Sequence, residues 1–183
     1  AVCGICGPGV MGKTSLAAIL AECPDIKEIK VKGRGQKSLN AFIEYAKAKY
    51  PEIPVIRPVD TVEELVRDTD VISFANSGNK DPSTYPLVKG EWIKPGALII
   101  GVSCFELDAA YMADTDKCRL VVDNTALYEA WAEEFPYPSF GANNIIGSKF
   151  TDMIHDGMIE KKDMYDLGDI IYGKRKGRES DEQ

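Results

Sequence analysis

The chain has 183 residues, 44% hydrophobic and 28% charged, which is enough to bury one substantial core, and we predict a single domain. Its formal net charge of -7 argues against a nucleic-acid partner, which would require a basic surface. No apolar stretch approaches the ~20 residues that span a bilayer, so we expect no membrane partner and a cytoplasmic location. Five cysteines suit reduced thiols, and their spacing predicts no metal site.

The first fourteen residues, AVCGICGPGVMGKT, predict a strand, a glycine turn and the start of a helix. The spacing G-x-G-x-x-G is the dinucleotide-binding pattern, whereas G-x4-G-K-T in the same letters is the P-loop pattern. In both patterns glycines let the backbone approach a phosphate, which the helix N-terminus attracts. The predicted phosphate-binding residues are therefore Gly7, Pro8, Gly9, Val10, Met11 and Gly12.

Strand and helix patterns alternate from here to residue 135. The further predicted strands are 28–32, 54–59, 71–75, 97–102 and 119–123. The predicted helices are 15–23, one capped by Ser38 and stopped by Pro51, then 62–67, 107–113 and 126–134. The strand at 97–102 is apolar throughout, so we expect it to be buried. This alternation predicts an α/β, Rossmann-like, doubly wound fold with a mostly parallel sheet and helices on both faces.

The alternation fades after residue 135. We predict a core over residues 1–135 and an irregular, helical extension over 136–183, with short helices at 150–158 and 164–172. The charged end from residue 173 is expected to be frayed.

The loop after the second strand predicts which nucleotide is bound. In dinucleotide folds this position reads the adenosine ribose, and it carries an acidic residue when the cofactor is NAD. Here basic and hydroxyl groups take that place, and they could neutralise a ribose 2′-phosphate. They are Lys32, Arg34, Lys37 and Ser38. The predicted cofactor is NADP, with NAD as the alternative.

The P-loop alternative makes different assignments. In it Lys13 would contact the β- and γ-phosphates, Thr14 would bind Mg²⁺, and Asp123, which ends the run LVVD, would supply the acidic residue. The residues alone leave both alternatives open.

Four stretches resemble the ornithine cyclodeaminase/mu-crystallin family along nearly the whole chain. They are GPGVMGKTSLAAIL, DTDVISFANS, KPGALIIGVS with ELDAAYMADTD, and the late stretch DLGDIIYGK followed by Gly177-Arg178. In that family the residues at Lys13 and Thr14 simply begin the helix after the glycine turn. The resemblance therefore favours the dinucleotide interpretation.

The resemblance implies NAD(P)-dependent hydride transfer at the α-carbon of an amino or imino acid. It implies that the glycine turn holds the pyrophosphate and that the last residue of the fourth strand and the two that follow it lie beside the cofactor, namely Ala75, Asn76 and Ser77. Cyclodeaminases use an aspartate as acid/base where this chain has Ser103. A serine is no base at neutral pH without a partner, so we favour a reductase or dehydrogenase in which Ser103 donates a hydrogen bond to substrate or nicotinamide.

Family members also carry a preceding segment that supplies the dimer interface and grips the substrate carboxylate. We therefore expect this chain to be an NAD(P)-binding domain that is inactive by itself. In the full-length protein we expect a homodimer that acts on a small amino or imino acid. A nucleotide-binding module without turnover, as a crystallin-like role would imply, stays open as an alternative.

Overall fold

The computed structural model describes residues 1–77, 81–143 and 145–180. Their contacts divide the chain into two compact units, the first made of residues 1–79 and 85–105, the second of residues 80–84 and 106–183. This boundary follows Phe105, whereas the sequence suggested a regular core that extends to residue 135. The assignment of the whole chain to a single domain stays a prediction.

The first unit contains alternating strands and helices. They are β1 (Val2–Cys6), α1 (Val10–Glu22), β2 (Glu28–Lys32), α2 (Gln36–Lys49), β3 (Val55–Pro58), α3 (Val62–Val66), β4 (Val71–Phe74), β5 (Leu87–Val88) and β6 (Leu98–Gly101), with a 3-10 turn at Gly90–Trp92. The main sheet has the order β3-β2-β1-β4-β6, and its strands are all parallel. Because the chain moves outward from β1 in both directions, the predicted doubly wound α/β fold is confirmed.

The core of this unit lies where α1 and α2 cover one face of the sheet. Apolar residues of α2 recur at helical spacing on its inner side, at Leu39, Phe42 and Ala46, each at most 7% exposed. They belong to one cluster with buried residues of the sheet, such as Ile5 and Ile29. Burial of this apolar stripe fixes both helices against the strands whose ends form the candidate site.

A buried lysine holds the end of α3. The Lys30 side chain points from β2, and its ammonium group donates hydrogen bonds to the Arg67 carbonyl oxygen (2.5 Å) and to Thr69 Oγ1 (3.2 Å). Lys30 is only 5% exposed, and burial lowers its pKa below 10.5. A positive charge at a helix C-terminus is favourable because the last carbonyl groups lack helical partners.

Two details differ from the prediction. The apolar strand β6 is not buried: it is the last strand in the sheet order, and Leu98 is 52% exposed. Ser38 does not cap α2, which begins at Gln36 with Gly35 as the N-cap residue. The Ser38 hydroxyl instead donates a hydrogen bond to the Gly35 carbonyl oxygen at 2.9 Å.

The second unit is built from short elements. They are β7 (Glu106–Leu107), α4 (Ala109–Ala113), β8 (Leu120–Val122), α5 (Thr125–Glu134), α6 (Ser139–Asn143), α7 (Ile146–His155), β9 (Met164–Asp166) and α8 (Leu167–Ile171), with 3-10 turns at Pro82–Thr84 and Lys161–Asp163. Strand β8 pairs in parallel with β9. The predicted helix at 164–172 is therefore wrong over its first three residues, which form a strand.

The charged end of the chain is not frayed at Arg175. The Arg175 guanidinium lies 3.4 Å from the ring centroid of Tyr165 and donates a hydrogen bond to the Lys162 carbonyl oxygen at 2.7 Å. Arg119 stacks on the same ring at 4.4 Å. Over the ranges that the structure describes, no helix has both the length and the apolar character needed to cross a membrane.

Candidate nucleotide-binding site

The carboxyl ends of the central strands lie side by side. Cys6 at the end of β1 pairs with Lys32 of β2 and with Phe74 of β4, and Phe74 pairs with Gly101 of β6. The segments that follow these residues therefore leave the same edge of the sheet, and together with Lys32 they contain every predicted site residue. Ligands of open α/β sheets bind at this edge, where the strand order reverses.

Gly7 makes the tight turn after β1. Its φ of +101° is unfavourable for any residue with a side chain, and a Cβ atom here would lie 2.4 Å from the Ala75 carbonyl oxygen. The Gly7 amide donates a hydrogen bond to the Lys32 carbonyl oxygen at 2.9 Å, and the Ala75 amide donates one to Cys6 at 2.7 Å. The turn thus joins the ends of three strands, and no larger residue fits.

Gly12 lets α1 pack directly against this turn. A Cβ atom at Gly12 would lie 2.2 Å from the Gly7 carbonyl oxygen and 3.2 Å from Cγ2 of Ile5. Any side chain would therefore push the helix away from the strand.

Gly9 differs from both, because an added Cβ atom would have no heavy atom within 4 Å among the described residues. Gly9 is the N-cap of α1, and neither a capping side chain nor an acidic residue satisfies the first turn. Val10 and Met11 in that turn are 79% and 53% exposed. The open space above the helix start therefore offers backbone amides and the positive end of the helix dipole to an anion.

These three glycines match the three roles that a pyrophosphate site requires: a tight turn, a close approach of the ligand to the backbone, and close helix–strand packing. The residues present therefore fit a dinucleotide.

Sequence reasoning found the three glycines, but it missed Gly33 after β2. The Pro8 ring occupies the space where a Gly33 Cβ would lie, since Pro8 Cγ is 2.7 Å from that position.

The tip of β2 carries the predicted basic residues. The Lys32 ammonium donates a hydrogen bond to the Asp60 carbonyl oxygen at 3.0 Å, so it is engaged at the end of β3. Arg34 and Lys37 are exposed. Lys37 lies in the first turn of α2, and this turn contains no acidic residue. Burial raises the pKa of the Cys6 thiol to about 11, and the positive charges of Lys32 and Arg34 oppose that shift.

Three contacts join the loops after β4 and β6. The Ser103 amide donates a hydrogen bond to the Phe74 carbonyl oxygen at 2.8 Å, and Asn76 Nδ2 donates one to the Cys104 carbonyl oxygen at 3.1 Å. The rings of Phe74 and Phe105 stack with centroids 4.5 Å apart. These contacts join the segments that carry Asn76 and Ser103, whose roles beside a cofactor stay predictions. No signal in the sequence indicated the Phe105 anchor.

The two residues after β4 that flank Asn76 differ in exposure. Ala75 is buried beneath the glycine turn at 8% exposure, and Ser77 is exposed. Both residues lie at the carboxyl edge of the sheet, and their location beside a cofactor stays a prediction.

The residues that a P-loop would use have other partners. Lys13 Nζ lies 4.3 Å from the ring centroid of Tyr45, and the Thr14 hydroxyl donates a hydrogen bond to the Val10 carbonyl oxygen at 3.1 Å. Asp123 accepts a hydrogen bond from the Tyr128 hydroxyl at 2.9 Å and follows β8, whose partner strand is β9. The geometry thus favours the dinucleotide interpretation of the glycine motif.

A doubly wound parallel sheet with a glycine turn at its reversal point and open space above the next helix defines a domain of the Rossmann class. The sequence matches the profile of the ornithine cyclodeaminase/mu-crystallin family over residues 1–183, and the chain belongs to this family. A search of curated proteins found no significant match.

Three solved structures are similar to this chain. The first is Thermococcus litoralis Delta(1)-pyrroline-2-carboxylate reductase in complex with NADH and L-proline, with TM-score 0.69 and 26% identity over 98% of this chain and 50% of that chain. The second is an archaeal alanine dehydrogenase dimer with bound NAD, with TM-score 0.64 and 24% identity over 100% of this chain and 50% of that chain. The third, CmnK, has TM-score 0.56 and 18% identity over 87% and 44%. At their lower identities the last two bear on the fold alone. The chain spans about half the length of these proteins.

Proposed function

We propose that this chain is the NAD(P)-binding domain of an oxidoreductase that acts on amino or imino acids, and that NADP(H) is the preferred cofactor. The observation that carries the proposal is the glycine turn, in which Gly7 and Gly12 have no room for a side chain while Gly9 faces open space. Family membership and the NADH and L-proline named for the reductase support the same assignment. A reductase or dehydrogenase is favoured over a cyclodeaminase because Ser103 replaces the acid/base aspartate.

In this proposal each part of the carboxyl edge binds one part of the cofactor. The amides at the start of α1 hold the pyrophosphate, and the exposed Arg34 and Lys37 contact the ribose 2′-phosphate. The nicotinamide end lies over the loops that carry Asn76 and Ser103. When bound, the nicotinamide supplies the hydride chemistry. The Ser103 hydroxyl then serves as a hydrogen-bond donor toward the substrate or the ring.

We propose that this chain binds the dinucleotide by itself, but that it does not catalyse hydride transfer by itself. Hydride transfer requires the substrate to be held within reach of the nicotinamide, and positioning of this kind needs both walls of a cleft. We therefore propose that the catalytic form is a full-length homodimer with a small amino or imino acid as substrate. Its cytoplasmic location stays a prediction.

Calorimetric titration of the chain with NADPH, NADH and Mg-ATP tests the proposal. We expect NADPH to bind about tenfold or more tightly than NADH, since one charge-assisted hydrogen bond accounts for such a factor. Arg34→Ala, in the loop before α2, should abolish this preference, while Lys47→Ala, in the last turn of α2, should retain it. Equal affinity for both dinucleotides in all three proteins would refute the NADP assignment and leave the dinucleotide site intact.

The Lys13→Ala variant separates the proposal from the P-loop alternative. Because Lys13 lies over Tyr45, the substitution should leave dinucleotide affinity unchanged. Binding of Mg-ATP alone, lost in Lys13→Ala, would overturn the proposed function.

A further inference from the structure

Asn76 has one satisfied and one unsatisfied end. Its Nδ2 group donates to the Cys104 carbonyl oxygen at 3.1 Å, which ties the end of β4 to the loop that carries Ser103. Its Oδ1 atom is buried and has no hydrogen-bond donor among the described residues. The side chain is therefore a fixed amide whose oxygen accepts no hydrogen bond from the described part of the chain.

The orientation of this amide follows from its partner. A backbone carbonyl oxygen accepts hydrogen bonds and cannot donate one, so the group that faces Cys104 must be the NH₂ end of the Asn76 side chain. Rotation of the amide by 180° would place two oxygens against each other. The unsatisfied atom is therefore the oxygen, and its ligand must offer an N–H or O–H group.

A buried acceptor without a donor is uncommon, because it has lost its hydrogen bond to water. Such atoms call for an explanation, and at a ligand-binding edge the simplest one is a donor on the ligand. The position of Asn76 indicates which part of a dinucleotide would supply this donor. In the sheet order β3-β2-β1-β4-β6, the ribose reader lies after β2 and Asn76 lies after β4, on the opposite side of the glycine turn. A dinucleotide that spans the turn brings its nicotinamide half to β4.

We propose that Asn76 Oδ1 accepts a hydrogen bond from the carboxamide N–H of the nicotinamide and so recognises the amide form of the cofactor. This inference rests on the proposed function. The donation from Nδ2 to Cys104 holds the amide in place, so the acceptor is oriented before the ligand arrives. The Ser103 amide bond to Phe74 and the Phe74–Phe105 stack fix the adjoining loop, which places the recognised ring beside Ser103.

Three ligands distinguish the carboxamide from the other donor that the cofactor could offer, a ribose hydroxyl. They are NAD⁺, nicotinic acid adenine dinucleotide, whose carboxylate has no N–H, and ADP-ribose, which keeps the ribose but lacks the ring. Wild-type protein should bind NAD⁺ about tenfold more tightly than the acid analogue, the factor that one hydrogen bond provides. Asn76→Leu should abolish this preference and leave the affinity for ADP-ribose within about twofold of wild type. Lys47→Leu is the control, because it introduces the same side chain at an exposed position in the last turn of α2, outside the site, and it should retain the preference.

A second measurement uses the wild-type protein, in case the Asn76 variant does not fold. In ¹⁵N-edited NMR spectra, the side-chain NH₂ resonances of Asn76 should shift on addition of NAD⁺ and stay in place with ADP-ribose. Equal affinities for NAD⁺ and the acid analogue, or an equal loss of ADP-ribose and NAD⁺ binding in Asn76→Leu, would overturn the inference while the dinucleotide site stands. Failure of all three ligands and of NADPH to bind would instead overturn the proposed function.

Discussion

Alanine substitutions at the three glycines of the turn should have different effects: those at Gly7 and Gly12 should lower stability, and the one at Gly9 should lower dinucleotide affinity. In Gly7→Ala the residue must adopt φ near +101°, which costs about 1–2 kcal/mol for a residue with a side chain. Its Cβ atom would also lie 2.4 Å from the Ala75 carbonyl oxygen, and the backbone shift that relieves such a contact costs about 1–3 kcal/mol. We therefore expect a total loss of about 2–5 kcal/mol.

Gly12→Ala should destabilise the protein by a smaller amount. The clash with the Gly7 carbonyl oxygen at 2.2 Å is severe, but alanine is favoured over glycine inside a helix by about 1 kcal/mol. Gly9→Ala should destabilise the protein by no more than about 1 kcal/mol: its φ of -97° suits any residue and its Cβ atom meets open space, so only the poorer N-cap preference of alanine counts. That same Cβ atom would occupy the space above the α1 amides, so dinucleotide affinity should fall about tenfold or more.

Thermal unfolding and calorimetric titration measure the two effects on the same samples. For a chain of this size each 1 kcal/mol corresponds to about 2–4 °C, so Gly7→Ala should lower Tm by about 4–20 °C. Gly9→Ala should unfold within about 4 °C of the wild-type temperature. Wild-type NADH affinity in Gly9→Ala would show that the phosphates do not lie at this turn, and an unchanged Tm in Gly7→Ala would refute the packing argument.

Three further substitutions test contacts outside the turn. Lys30→Met should lower the free energy of unfolding in urea by about 1–3 kcal/mol, because the Arg67 carbonyl oxygen and the buried Thr69 hydroxyl each lose a hydrogen bond from the ammonium group. Burial raises the pKa of Asp70, but hydrogen bonds from the Lys94 ammonium group and the Val2 amide hold this pKa below 3.8. Stability from this carboxylate is present above pH 3.8 and lost as pH falls through the lower, folded-state pKa, so Asp70→Asn should be less stable at pH 7 and lose less stability on acidification. Arg175→Gln should speed tryptic cleavage at the adjacent lysines, because the cation that holds this segment on Tyr165 is gone; an unchanged rate would show that this contact does not protect the segment.

The sequence predicted the first unit well where local chemistry decides the structure. Strand β2 has the predicted bounds, and α2 ends at Lys49, two residues before Pro51. The cap of α2 was misplaced because a serine at the third helical position looks like an N-cap in a sequence, and Gly35 leaves no side-chain signal. Only the direction of the Ser38 hydroxyl, toward the Gly35 carbonyl oxygen, distinguishes the two.

The position of β6 could not be predicted from its composition. An apolar run indicates side chains that gain from burial, but the burial of a strand depends on which strands pair with it. Leu98 is exposed because β6 ends the sheet order, a property of topology. The Asn76–Cys104 hydrogen bond was unpredictable for a related reason, since it joins residues 28 positions apart whose proximity depends on the pairing of β4 with β6.

Lys13 shows most clearly what a motif leaves undecided. The same letters satisfy the P-loop and the dinucleotide patterns, and both place Lys13 in the first turns of a helix that begins after a glycine turn. The two patterns differ in where the ammonium group points, which depends on the neighbouring helix. Here α2 presents Tyr45, and the attraction between a cation and an aromatic face holds Lys13 along the side of α1 instead of above its N-terminus. The backbone amides at the helix start are then the groups that face the open space beside Gly9. In the dinucleotide pattern it is these amides, and not a lysine, that bind the pyrophosphate.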